Sequence, residues 1–517
     1  MTAKDPAQGS ARRGGAWVSY LADPPLLHLV LLLLAAFLLT RLPFFWYYGT
    51  VRLSQDSGSY LDVVKELQAH HWPRFVFRTP GYPLFIWMAS LLSERWIVLI
   101  YIQNVLTFAA SVALVSAVRG FRPRLALPAA VALCGYAGSS QVLLYDVSLL
   151  SDSLYASVLV FTVAALVSAL GRGGGWRLAG ASAWMALAIL VRPAAMYLVV
   201  IYGVVLAYLA WNRAPARGLL AFAVPLPAAL LALCTYNALT LSQFVITPFG
   251  EANIAGATAL FWEQDPSLPP EVNRALEGLG ASYAKVGITP ENLRLVRTSW
   301  DPDALFDVYI MAYNRLVWSA GWGSGTRFGS GSYMGSRRYI KQVSMLAIRK
   351  HPTLYARWVW ANMVVFFRGV GYTFDVESAL AYRGAGPAAT RTFDSGAAHA
   401  EGPGGGAREG EPLMERTVES AQRGWQAVHG FVFQRVVWSW ACGAMLLASA
   451  VQLARHRGRH LGALILLVLT LMPLGAGLVV CLVETALDRY SYATQFIYYL
   501  AVALAPLLWV KAAPRQT

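Results

Sequence analysis

The sequence predicts an all-α, polytopic membrane protein, and three observations lead there. Of 517 residues, 57% are hydrophobic and 13% charged, where an ordinary soluble domain carries ~25% charge. Apolar runs of the roughly 20 residues needed to cross a bilayer recur along the chain. Short arginine-rich loops separate them, and the formal net charge is +15. Basic residues in such loops set topology and meet anionic headgroups, so membrane lipids, not nucleic acid, are the partners implied. The four cysteines, Cys134, Cys234, Cys442 and Cys481, lie in apolar segments without CxxC spacing. Buried thiols are expected there, with no disulfide framework or zinc site.

Residues 1–22 are polar and Gly/Ala-rich and read as a disordered cytoplasmic tail. The run Leu26–Tyr47 is too long for a signal-peptide core and lacks a small-residue cleavage site, so it stays as the first span. It opens an N-terminal transmembrane core, 23–240, that includes an outer loop at 46–94. Further spans are expected at about 95–118, 125–145, 153–171, 177–192, 194–211, 218–240, 430–453, 461–483 and 490–510. Counting from a cytoplasmic N-terminus puts the basic loops 119–124, 171–177, 211–217 and 455–460 inside, together with the C-terminus, as the positive-inside rule requires. The default location is the plasma (inner) membrane.

Three stretches remain. Residues 241–353 form a long extracytoplasmic loop region, too rich in Trp, Tyr and Arg for disorder. Residues 354–429 join an apolar helix to a flexible outer loop dominated by Gly, Ala, Pro and Glu at 384–412. Residues 430–517 hold the C-terminal spans. The segments 304–323 and 354–372 are apolar enough to cross, lie flat or re-enter. They must both cross or both stay out to keep loop 455–460 inside.

The polar stretch Ser54–Trp87 interrupts the apolar pattern. Asp56 stands among small residues. Tyr60, Val63, Val64 and Leu67 then recur at helical spacing, opposite Asp62, Lys65, Glu66 and Gln68, which describes an interfacial helix. Arg78-Thr79-Pro80-Gly81-Tyr82-Pro83 follows, a cation and a rigid turn. The topology gathers more ionisable groups at the same outer face: Asp146 and Asp152 between spans three and four, Arg192 before Pro193, and Glu484, Asp488 and Arg489 before the last span. Charged groups at membrane depth default to a functional hypothesis. Each also has a plain alternative. Asp56 and Asp152 suit helix caps, Arg78 and Arg192 suit snorkelling cations, and Glu484 with Arg489 suits a solvated pair. His70 and His71 lack metal-site spacing and read as interfacial side chains.

Asp56-Ser57 with Tyr60, then Arg78-x-Pro80-Gly81-Tyr82-Pro83-Leu84-Phe85, resembles the outer loop of the GT-C class of membrane glycosyltransferases. The families nearest in pattern are the protein O-mannosyltransferase-like and lipid A aminoarabinose transferase-like enzymes. Ser151-Asp152-Ser153-Leu154-Tyr155, Val191-Arg192-Pro193, Arg349-Lys350-His351-Pro352 and Asp488-Arg489-Tyr490 add to the likeness. It covers the first 240 residues well and the rest in patches. The resemblance implies a helical bundle of about 10–12 transmembrane helices with interfacial helices in the first outer loop. It implies transfer of a sugar from a polyprenyl-phosphate carrier to an envelope lipid, glycan or protein on the extracytoplasmic face. It makes Asp56 the catalytic carboxylate and Asp152 the second acid, with a divalent cation open as cofactor. Arg78, Arg192 and Arg489 become candidates for the donor phosphate, with Tyr60, Tyr82 and Glu484 in support. Trp262, Trp300, Trp318 and Trp322 are available for stacking on sugar rings, while the plain reading of each, and the preferred one, is an interfacial anchor. Two rivals stand beside this expectation, a lipid-linked saccharide flippase and an O-antigen ligase or polymerase. A flippase would place charge at mid-membrane in repeated broken helices.

Overall fold

The computed structural model describes residues 19–48, 51, 53, 56–93, 95–322, 327, 333–368, 435–483 and 492–509. Among them the regular elements are all helical. Five helices are long and apolar enough to cross a membrane: Trp96–Phe121, Ser151–Arg172, Pro193–Trp211, Ala216–Leu241 and Leu461–Leu482. Shorter apolar helices, Leu26–Leu42, Gly175–Val191 and Gln495–Trp509, accompany them. Helices satisfy every backbone group internally, which hydrocarbon demands.

In chain order the first elements are α1 (Leu26–Tyr48), α2 (Ser57–Gln68), α3 (Gly81–Ser90), α4 (Trp96–Phe121), α5 (Ala126–Ala137) and α6 (Ser140–Asp146). They are followed by α7 (Ser151–Arg172), α8 (Gly175–Val191), α9 (Leu198–Trp211), α10 (Ala216–Ala223) and α11 (Pro225–Leu241). The centre of the bundle is α7, which packs against α4 and α8. It is buried along most of its length, its Ser151, Asp152, Ser153, Ser157 and Thr162 included. The span expected at 125–145 is not continuous. It breaks at Gly138, and Ser139 starts α6 by accepting a hydrogen bond from the Val142 amide, as N-cap serines do. The tail expected to be disordered through residue 22 is helical over 19–22, and residues 1–18 lie outside the described residues. The outer-loop helix forms as expected, with Tyr60, Val63 and Val64 buried and Asp62 and Lys65 exposed.

The segment after α11 has its own hydrophobic core. It contains α12 (Gly250–Thr258), α13 (Pro270–Glu277), α14 (Leu279–Lys285), α15 (Pro290–Thr298), α16 (Pro302–Met311), α17 (Tyr333–Lys350) and α18 (Pro352–Arg368). The two segments left open, 304–323 and 354–372, correspond to α16 with its continuation and to α18. Neither is among the helices long and apolar enough to cross. They pack on each other, with Tyr309 edge-on to Trp358 at 6.2 Å. The far end of α18 enters the bundle core through Phe366. The Tyr355 hydroxyl donates to the Leu482 carbonyl, tying α18 to the bundle. The last elements are α19 (Arg435–Arg455), α20 (Leu461–Val483) and α21 (Gln495–Leu504). The loop 384–412 lies outside the described residues. All four thiols are free. Cys442 and Cys481 are buried, whereas Cys134 and Cys234, expected to be buried, are only partly covered.

The basic loops converge at one end of the bundle. Arg119 donates to Asp23 at 2.8 Å and to the Pro24 carbonyl at 2.9 Å. Gly120 lies against the Arg172 guanidinium, Gly175 against Ala221, and Gly218 against Leu178. The Trp211 indole donates to the Arg457 carbonyl and Asn212 to that of Gly458, both at 3.2 Å. Trp176 and Trp211 stand exposed at this end and Trp72 at the other. Tryptophan favours both interfaces of a bilayer.

Candidate functional site

Opposite the basic loops, three carboxylate–guanidinium pairs meet at the loops joining α1, α2, α3, α6, α7 and α8. The first is Asp56 with Arg78. The Asp56 backbone is already helical, at φ −74° and ψ −23°, and its side chain makes no capping bond to the first turn of α2. The capping role is therefore not the one this aspartate plays, since a cap residue is extended and bonds back to its helix. Its carboxylate instead accepts from Arg78 Nη2 at 2.6 Å. Arg78 Nε donates to Ser59 Oγ at 2.7 Å, and the guanidinium lies 4.5 Å from the Tyr60 ring centroid. The pair is open to the outside, with side chains 20% and 27% exposed.

A glycine sets where Arg78 sits. A Cβ on Gly81 would come within 2.7 Å of the Leu190 carbonyl oxygen and the Val191 amide. The Thr-Pro-Gly turn can thus rest on the end of α8, next to Arg192. Pro193 disfavours the helical conformation at the residue before it, so α8 ends and Arg192 is extended at φ −150° and ψ 120°. The Arg192 guanidinium reaches Asp152 at 2.5 Å, with side chains 9% and 1% exposed. Asp152 occupies the first turn of α7 without a capping bond, where the helix dipole favours negative charge.

Tyr60 links the two pairs. Its ring carries Arg78, its hydroxyl shares a 2.8 Å hydrogen bond with Ser151, and it meets Tyr82 edge-on at 4.9 Å. Tyr82 donates to Gln103 Oε1 at 2.9 Å. Gln103 in turn donates to the carbonyls of Asp146 and Ser148, and Ser57 to that of Leu149. The loop that presents Asp152 is thereby held from α2 and α4, with Tyr82 of α3 fixing Gln103.

The third pair is Arg41 with Asp146, at 2.7 Å with side chains 7% and 2% exposed. Arg41 also donates to the Ala137 carbonyl at 2.5 Å and to Asn104 at 3.3 Å. The other Asp146 oxygen accepts from Ser153 at 2.6 Å and Thr107 at 3.1 Å. Sequence reasoning placed Asp146 on this face but left it unpaired and passed over Arg41. The available signal was a lone cation inside the apolar run of α1, a position that demands a partner.

The structure thus brings Asp56, Arg78, Tyr60, Tyr82, Asp152 and Arg192 together. Glu484, Asp488 and Arg489 lie outside the described residues. Among the described residues no three His, Cys, Asp or Glu side chains gather to hold a metal ion. Trp262 and Trp322 pack edge-on at 5.9 Å inside the second core, 5% and 1% exposed. The expectation that they stack on sugars is corrected: their apolar rings are spent on folding that unit. Trp300 is half-exposed beneath the Arg357 guanidinium, and the Trp318 side chain is outside the described residues.

The second unit carries a clasp of its own. Lys350 pairs with Asp265 and, at 2.9 Å, with Glu263, and His351 lies 3.3 Å from Glu263. The hydrogen bonds from Lys350 hold both carboxyls below their ordinary values. The same bonds hold the Lys350 ammonium above its own, with Asp265 the larger cause. Segment 69–80 runs between the two units: Tyr236 of α11 donates to the Pro73 carbonyl, Val76 packs on the second core, and Phe77 meets Phe249 edge-on.

No family model, curated protein or solved structure matches this chain. Fold and site define an all-helical membrane protein with charged pairs clustered at the end opposite its basic loops.

Proposed function

We propose that the protein is a GT-C-type glycosyltransferase that moves a sugar from a polyprenyl-phosphate carrier to a lipid, glycan or protein acceptor at the face bearing Asp56. The observation that carries the proposal is the Asp56–Arg78 pair: a carboxylate that caps no helix, half-open to the outside and paired with a guanidinium. The acceptor hydroxyl attacks the anomeric carbon and gives its proton to Asp56, and the carbon–oxygen bond to the carrier phosphate breaks. The polyprenyl phosphate leaves with the electron pair. A general base contributes about 10²–10⁴-fold to such a step, and a fixed cation on the leaving phosphate contributes further.

The pairing suggests how the two roles are coupled. At rest Arg78 neutralises Asp56, and a donor phosphate competes for the guanidinium and releases the carboxylate to act as base. Asp152 holds Arg192 extended in a buried place behind the open pair and orients that cation. The basic loops face the cytoplasm, where arginine-rich loops remain, and the site then faces outward in the plasma membrane.

The test is release of free polyprenyl phosphate from a panel of polyprenyl-phosphate sugars by purified protein in detergent. Release by the wild type and its loss in Asp56→Asn support the transferase and identify the sugar. Equal release by both, or none with any donor, removes it and brings lipid-linked saccharide flipping forward.

A further inference from the structure

A cleft of about 480 Å³ opens at the basic end, bounded by α4, α7, α8 and the start of α1. Its mouth carries Arg119 and Arg172, with Ser116 and Ser168 on the wall and Phe161 and Trp184 deeper in. The last two rings stack with centroids 4.7 Å apart. Small residues such as Ala117 and Ala164 keep the cleft open between tightly packed helices.

Two features give it a ligand chemistry. The first is charge. Arg119 is fixed by Asp23 and the Pro24 carbonyl. The Arg172 guanidinium lies over Gly120, in space that a Cβ at that position would take. Among the described residues no carboxylate pairs with Arg172. The mouth therefore holds two guanidinia against the single carboxylate on Arg119, and is net positive. The second is length. From Arg172 to Phe161 along α7 is about 16 Å at 1.5 Å per residue, about half the ~30 Å hydrocarbon thickness of a bilayer.

We propose that this cleft binds an acidic phospholipid of the leaflet at the basic end. The phosphate sits between Arg119 and Arg172, Ser116 and Ser168 donate to its oxygens, and one acyl chain lies along α7 down to Phe161 and Trp184. The arginines answer the charge. The apolar wall, one leaflet deep, answers the chain, for which a free anion has no use. The site is independent of the charged pairs at the other end and of the reaction proposed there.

The experiment is native mass spectrometry of the full chain in neutral detergent, titrated with phosphatidylglycerol and with phosphatidylcholine of the same acyl composition. Phosphatidylglycerol is expected to bind about fivefold or more tightly than phosphatidylcholine. A basic residue near the headgroups is worth ~1 kcal/mol, about fivefold, so Arg172→Gln should weaken phosphatidylglycerol by that factor. Ser168→Trp, at a half-buried position, fills the cleft and should remove the adduct. Arg172 is exposed, so an unchanged melting temperature for Arg172→Gln shows that the fold is intact. Equal binding of the two lipids overturns the proposal, as does phosphatidylglycerol binding undiminished in both variants. Displacement of the lipid by inorganic phosphate at equal concentration also overturns it, because the cleft would then be a small-anion site.

Discussion

Arg41→Ala strips a buried carboxylate of its counter-ion, and its cost follows from the geometry. Arg41 donates to Asp146, Ala137, Asn104 and Thr40 at 2.7, 2.5, 3.3 and 2.9 Å. Breaking a buried ion pair by removing one partner costs ~3–5 kcal/mol, because the survivor keeps its desolvation penalty without its attraction. Asp146 still accepts from Ser153 and Thr107, which places the loss near the lower bound, at ~3 kcal/mol, or about 150-fold in the folding equilibrium. The double variant Arg41→Met with Asp146→Leu removes both charges and fills similar volume. It should recover most of that loss, since apolar replacements of buried pairs are often neutral or stabilising. The assay is unfolding in mixed micelles against increasing sodium dodecyl sulfate, with both single variants and the double. A single variant within ~1 kcal/mol of wild type, or a double as unstable as the sum of its singles, refutes the reasoning.

Three further outcomes are expected. Asp56→Asn should cost no more than about 1 kcal/mol in the same unfolding assay, because the pair is partly open to solvent, where ion pairs contribute little, and no cap is lost. A loss of ~2 kcal/mol, at the top of the capping range, would return Asp56 to a capping role. Gly81→Ala forces a methyl into the backbone of α8 and should destabilise by about 1–3 kcal/mol, as overpacking does. It should also lower sugar transfer, and unaltered melting would show that the turn does not rest on α8. The clasp at Lys350 predicts a pH dependence. Asp265 and Glu263 have folded pKa values below their unfolded ones, so their stabilisation is present above about pH 4 and is lost as pH falls through the lower folded values. Lys350 has a raised pKa, so its share is present below the unfolded value near ~10.4 and is lost as pH rises through the folded one. The melting-temperature difference between wild type and Lys350→Met should be steady from pH 5 to 9 and shrink below pH 4. A difference that grows on acidification contradicts the clasp.

Much of the architecture was legible from local pattern. Hydrophobic runs set which segments form apolar helices, and period-3.6 spacing placed α2 with its buried face. Pro193 marked the end of α8, and arginine counts marked loops that do gather at one end. These signals are legible because helix formation, chain breaking and membrane partition depend on residues within a turn or two of each other. Local pattern failed where two meanings share one composition. Residues 125–145 look like one span, yet Gly138-Ser139 divides them. Trp262 and Trp322 read as interfacial anchors or platforms for sugar, yet they are core.

The sequence by itself pointed to an all-α membrane protein, to most of its apolar helices and to one end for Asp56, Arg78, Asp146, Asp152 and Arg192. Only the tertiary structure decided which charges belong together. Asp56 took Arg78 in place of its own helix end, Asp152 took Arg192, and Asp146 took Arg41 from 105 residues away. Hydrophobicity is a property of each segment, summed along it, and survives in the one-dimensional string. An ion pair depends on two side chains meeting within a few ångströms, and that distance exists only once α1, α6, α7 and α8 have packed.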